Sequence, residues 1–201
     1  MTFPQSSSRL WPSALSLTVG VLFLPAALGL LGQAVWALGP ISRGTPNWPA
    51  GVLAIATLLI CLEQTRMAAV DLWQIKVVRQ QISDPQLERF HSVTLSTIFI
   101  ELIGFYTGVL WIGWGALIVL LSQIWFNLLA GIQLHPEGSS PMQPCGRADR
   151  LPVLVADGVG LGLVSLWIAG IASLWVAALL LGIVLVYGWV KYLQPRLKSP
   201  R

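Results

Sequence analysis

Of the 201 residues, 55% are hydrophobic and only 10% are Asp, Glu, Lys or Arg, with a mean hydropathy of +0.74. A soluble domain usually carries about 25% charged residues, so this chain has too little polar surface to cover a water-soluble globule. The same composition excludes disorder, a disulfide scaffold and a nucleic-acid-binding module, and a net charge of +4 is small enough that the placement of charges matters more than their sum.

Each helical span needs about 20 largely apolar residues to cross about 30 Å of hydrocarbon. The first apolar run, Ala14–Leu38, is longer than the roughly 7–15 residues of a signal-peptide core, and no clean small-x-small cleavage site follows it. It reads as a retained transmembrane helix, and Pro25 inside it implies a kink that neighbouring helices can satisfy. The second block starts at Pro49 and meets its first charge at Glu63. It completes a span only if Glu63 and Arg66, three residues apart, lie at the membrane edge or pair on one helix face.

Residues 63–91 follow, with four basic and four acidic side chains. Asp84-Pro85 has the form of an N-cap with Pro at the first helical position. The second helix is therefore expected to continue beyond the bilayer to about Ile82 and a new helix to start at Pro85, giving a helical extension into water. The apolar positions of 67–82 do not gather on one face, so this is not read as a membrane-surface helix.

The third block, Ser92–Ile132, fits two helices with a turn at Gly113-Trp114-Gly115. A connector, residues 134–152, is rich in Pro, Gly and Ser and reads as an irregular loop. The fourth block, Leu151–Val190, again fits two helices, with a turn near Ala169-Gly170. Leu110-Trp111-Ile112-Gly113 and Leu166-Trp167-Ile168-Ala169-Gly170 echo one another, through an old duplication or through chance among apolar residues.

The expected fold is an all-α integral membrane protein, one polytopic domain over 1–201. It has about six transmembrane helices, near 14–38, 49–70, 92–112, 115–133, 151–168 and 171–190. Six spans put eleven of the twelve Lys and Arg residues on the side of the termini, 63–91 and 134–152, leaving Arg43 opposite. Excess Lys and Arg mark the cytoplasm, so both termini are expected there. Five spans, with the second block not crossing, serve the rule equally well, with Arg9 alone outside. Six is preferred because the second block needs burial. Trp36, Trp48, Trp111, Trp114 and Trp167 then fall at outer ends, and Trp11, Tyr187, Trp189 and Tyr192 at inner ends. Trp125 does not fit and is placed within the membrane. The expected setting is a bacterial inner membrane or, for a photosynthetic source, a photosynthetic membrane.

Four polar side chains fall inside spans: Glu101, Gln123, Asn127 and Asp157. An ionisable group at the bilayer centre costs about 2.5–3.5 kcal/mol on insertion scales and usually faces a partner or a water-filled cavity. At about 1.5 Å of rise per residue, Glu101 and Gln123 match in depth near the midplane. Asp157 and Asn127 match nearer the inner edge. A protonated Glu101 would donate to the Gln123 carbonyl. Three readings follow: a proton- or cation-linked pathway, polar glue between helices at about 0.6 kcal/mol per contact, or burial against a partner subunit. Gly158, Gly160 and Gly162 after Asp157 would permit close helix packing.

His91 and His135 lie at the inner ends of the third and fourth helices. Two histidines can ligate haem iron or another metal, but nothing around them supports more than interfacial histidines. Arg147, Asp149 and Arg150 read as anchors at the headgroups, or as a contact for an anionic lipid or partner loop. The two cysteines, Cys61 and Cys145, form no CxxC or Cys/His cluster. There is no HExxH, GxSxG, P-loop or dinucleotide-binding glycine pattern. The expectation is a non-enzymatic protein without metal or cofactor, whose partners are the lipid bilayer and, if it is an accessory subunit, other membrane subunits. Transport leads slightly over the accessory role, because a midplane carboxyl marks a functional site by default.

Overall fold

The structure is a computed structural model and describes residues 14–39, 45–136 and 140–192. Arg9, Trp11, Arg43, the C-terminal basic residues beyond Lys191 and the side chain of Tyr192, all used in the orientation argument, lie outside the described residues.

Six helices are long and apolar enough to cross a membrane. They are α1 (Ala14–Leu38), α2 (Trp48–Arg79), α3 (Pro85–Leu110), α4 (Ile112–Leu129), α5 (Leu151–Ile168) and α6 (Ser173–Tyr192). The protein is an all-α, six-helix membrane protein, and the second block does form a span. Successive helices alternate in direction. One end of the bundle carries the tight turns α3–α4 and α5–α6, and the other carries the longer connectors α2–α3 and α4–α5.

Local chemistry explains the boundaries. Asn47 caps α2 by accepting from Ala50 N at 3.3 Å, with Pro49 in the first turn. Asp84 caps α3 by accepting from Gln86 N at 2.7 Å, and Pro85 opens the helix as expected. α2 is 32 residues long, about 48 Å at 1.5 Å per residue, so it outruns about 30 Å of hydrocarbon. Its last turns and the start of α3 form the expected helical extension. That extension is not fully surrounded by water: Ile75, Val78, Leu87 and Phe90 pack with Ala130, Ile132 and Leu134 in a small core of their own.

Two expected features need correction. The α3–α4 turn is at Trp111, not at Gly113-Trp114-Gly115. Gly113 and Gly115 are helical and serve packing instead. A Cβ on Gly115 would meet the Gly108 backbone and come within 2.5 Å of the Gly104 carbonyl. α3 and α4 thus touch backbone to backbone, the close approach that small residues allow in lipid. The second correction is the connector 134–152, which is not wholly irregular. β1 (Ile132–Leu134) and β2 (Met142–Pro144) pair antiparallel, with Gln133 opposite Gln143. Gly131, at φ +67°, ends α4 in the left-handed conformation glycine favours and redirects the chain into β1.

At the α5–α6 turn, near Ala169-Gly170 as expected, Gly170 has φ +75° and Ala172 has φ +44°. The two echoing segments meet here: a Cβ on Gly113 would contact Ile168 and Trp167. The main core is built mostly from α1, α2, α3 and α4, joined by Val164 of α5 and Val176, Ala177 and Leu180 of α6, with Phe23 edge-on to Phe105 at 5.8 Å between centroids. α2 packs on α1, α3 and α6, while α5 packs on α4 and α6. Only 11% of the residues in the apolar windows of α5 and α6 are buried, against 33–44% in the other four spans. These two helices spend most of their surface on something outside the chain.

Candidate functional site

The faces of α2, α4, α5 and α6 border an open-sided cleft of about 1400 Å³. On α2 it is lined by Leu53, Thr57, Ile60, Gln64, Met67, Asp71 and Gln74. Those positions step by four and three, so they form one stripe along the helix. The stripe begins apolar and turns polar toward the connector end. α4 contributes Leu120, Gln123 and Asn127, and Arg150, at the N-cap of α5, is followed on that helix by Val153, Asp157, Gly160 and Val164, with the same spacing. The cleft is thus apolar over much of its length and polar near the connectors.

A chain of hydrogen bonds runs along its α4 wall. Gln123 Nε2 donates to Glu101 Oε1, joining α4 to α3. Asn127 Nδ2 donates to the Gln123 carbonyl at 3.0 Å and to Asp157 Oδ2 at 3.3 Å, joining α4 to α5. Arg150 Nη1 donates to Asn127 Oδ1 at 3.2 Å, and its Nη2 to the Ile132 carbonyl at 2.9 Å. The Arg150 guanidinium also lies over Phe126, 5.4 Å from the ring centroid. All four residues read from the sequence as intramembrane polar groups are therefore brought together, Glu101 with Gln123 and Asp157 with Asn127.

Their positions relative to the cleft differ. Glu101 is 2% exposed and lies behind the wall, whereas Gln123, Asn127 and Asp157 face the space. Glu101 therefore acts on the cleft through Gln123. Arg150 departs from its expected role as a headgroup anchor: it turns inward because β1 offers it a carbonyl and α4 an amide oxygen. Asp149 accepts from Gly146 N at 2.8 Å and shapes the turn before α5. The three glycines after Asp157 also divide. Only Gly160 has a neighbour, Leu120, at 3.3 Å from a built Cβ, while Gly158 and Gly162 have open space. They are not a common packing stripe.

Asp71 was not singled out in the sequence, where it falls within a segment read as soluble extension. It lines the cleft and, among the described residues, makes no hydrogen bond and no ion pair within 4 Å. The cations acting on it through space are Arg150, Lys191 and Arg66. The signal that would have found it is the polar stripe Thr57, Gln64, Asp71 and Gln74 at helical spacing. The proposed pairing of Glu63 with Arg66 is present at 3.3 Å. A partner unseen in the sequence joins it: Lys191 Nζ on α6 donates to Glu63 Oε1 at 2.6 Å and to the Tyr187 hydroxyl at 2.9 Å.

Among the described residues, no hydrogen bond joins the two histidines. His91 Nδ1 is 3.0 Å from Arg79 Nη2, and Arg79 also binds Glu88 at 2.7 Å. His135 Nδ1 is buried without a hydrogen-bond partner. Among the described residues no three His, Cys, Asp or Glu side chains converge as metal ligands. Trp125 is 46% exposed, on the outward surface of α4, with its indole N–H 3.4 Å from Ser96 Oγ.

Comparison with protein-family models, with curated proteins and with solved structures finds no match to this chain. Fold and site alone define its class, a polytopic α-helical membrane protein with a polar-ended intramembrane cleft.

Proposed function

We propose that the protein is a non-enzymatic transport protein, providing a proton- or cation-linked route through the cleft between α2, α4, α5 and α6. The observation that carries this reading is the line of polar groups Gln123, Asn127 and Asp157 on the walls of one cleft within the spans, with Asp71 at its connector end. Maintaining so many polar groups at membrane depth is costly unless they serve a pathway or a cavity. Glu101 is a positioning residue that orients Gln123. The connector end, with its excess of Lys and Arg, is assigned to the cytoplasm.

The test is flux in proteoliposomes. Internal pyranine reports proton entry under an imposed potassium diffusion potential, and radioactive sodium reports cation uptake. Wild type should exceed protein-free vesicles for at least one ion. Asp157→Asn keeps an oxygen acceptor for Asn127 on the cleft wall but cannot ionise, and it should lower that flux at least tenfold while accumulating normally. No flux of either ion above protein-free vesicles, or unchanged flux in Asp157→Asn, overturns the proposal.

A second reading, an accessory subunit of a larger membrane complex, is supported by the low burial of α5 and α6. It requires wild type to run as a large species after mild detergent extraction, together with other membrane proteins.

A further inference from the structure

The chemistry of the cleft narrows the class of its occupant. At about 1400 Å³ it is larger than the roughly 300–1,000 Å³ of ordinary ligand pockets. Its walls toward the turn end are Leu53, Ile60, Leu120, Val164 and Leu180. Such walls suit the apolar body of an amphiphile.

The charges at the polar end are unevenly satisfied. Arg150 is engaged by Asn127, the Ile132 carbonyl and the Phe126 ring, and Arg66 is engaged by Glu63. Asp157 accepts one hydrogen bond, from Asn127, to a single oxygen. Asp71, on a different wall, accepts none among the described residues. An ionised carboxylate has about four acceptor sites, so the acceptor capacity at this end is largely unused. Arg150 Nε is also buried without a hydrogen-bond partner, but the cleft is lined by four carboxylates, Glu63, Asp71, Asp149 and Asp157, against two guanidiniums, Arg66 and Arg150. An anionic headgroup placed here would meet carboxylates, whereas an ammonium or other organic cation would meet open acceptors.

We propose that the cleft binds one amphiphilic organic cation, its charge held between Asp71 and Asp157 and its apolar body lying along α2, α4 and α5 toward the turn end. This deepens the transport reading and rests on it for the claim that the occupant is cargo. Binding itself is measurable without flux, so the two can fail separately.

The test is equilibrium binding of tetraphenylphosphonium to the purified full-length protein in detergent. Saturable binding near one per chain is expected. Asp71→Asn should weaken it at least tenfold, and Asp71→Glu should retain it. Ala156→Trp, which fills the cleft from an exposed position on its wall, should abolish it and gives the same readout if Asp71→Asn does not fold. Tetraphenylborate, matched in shape and opposite in charge, should not displace the probe. Absence of saturable binding, indifference to both Asp71→Asn and Ala156→Trp, or equal displacement by tetraphenylborate overturns the proposal. A phospholipid retained at one per chain and excluding the probe also overturns it, because the cleft is then a lipid site.

Discussion

Glu101 shows how a single buried carboxyl sets the geometry of groups it does not share a helix with. It accepts from Gln123, whose carbonyl in turn receives Asn127, which reaches Asp157 and Arg150. Removing the acceptor while keeping the volume separates structure from ionisation. Glu101→Leu should strand the Gln123 amide and cost about 1–3 kcal/mol, with loss of folded protein, whereas Glu101→Gln should fold like wild type. Resistance to unfolding in mixed detergent measures both. Equal stability of the two variants would remove Glu101 from its positioning role. Depth matching along the sequence was enough to pair these residues, because a helix rises by a constant amount per residue. It could not show that Glu101 stands behind the wall and Gln123 on it, since facing depends on how α3 and α4 are rotated against each other. Asp71 escaped for a related reason: charge along the chain marked its segment as aqueous, and only the long, continuous α2 carries it onto the cleft.

At the scale of elements, the glycines divide by what lies beside them. Gly115 fits against Gly108 and the Gly104 carbonyl, and backbone cannot move aside as a side-chain tip can. Gly115→Leu should therefore force α3 from α4 and destabilise the protein by about 3 kcal/mol. Gly158 has open space, so Gly158→Ala should be neutral or should stabilise α5 by up to about 1 kcal/mol. The same detergent unfolding assay ranks the two, and a neutral Gly115→Leu would contradict the backbone contact. Sequence placed the α3–α4 turn at Gly113-Trp114-Gly115 because glycine pairs commonly mark turns. In lipid the same residue serves equally well for close packing, and the choice was made by the partner helix. The β-hairpin was likewise invisible as a pattern, since three-residue strands carry too little alternation to stand out from a Pro- and Gly-rich loop.

For the whole molecule, α2 is the axis and α5–α6 the flank. α2 supplies one wall of the cleft and holds α6 through Glu63 and Lys191, while α5–α6 closes the other side with little burial of its own. Thiol labelling tests the proposal that the polar end of the cleft faces the cytoplasm. Cys145 lies in the connector and is partly exposed, whereas Cys61 is buried. A membrane-impermeant maleimide should leave Cys145 unlabelled in intact cells and label it in inverted membrane vesicles. Labelling of Cys145 from outside would reverse the orientation.

The amino-acid sequence determined by itself that this is a polytopic helical membrane protein, with six spans preferred over five, where α1, α5 and α6 run, and which in-span polar residues match in depth. These follow from composition, span length and the constant rise of a helix, all of which are local. Only the tertiary structure decided which of those residues face the cleft, that Arg150 turns inward, that Asp71 joins the site and that Lys191 meets Glu63. Each of these depends on the rotation and contact of helices far apart in the chain. A lipid environment leaves little amphipathic signal from which to infer that rotation, because the outward and inward faces are both apolar.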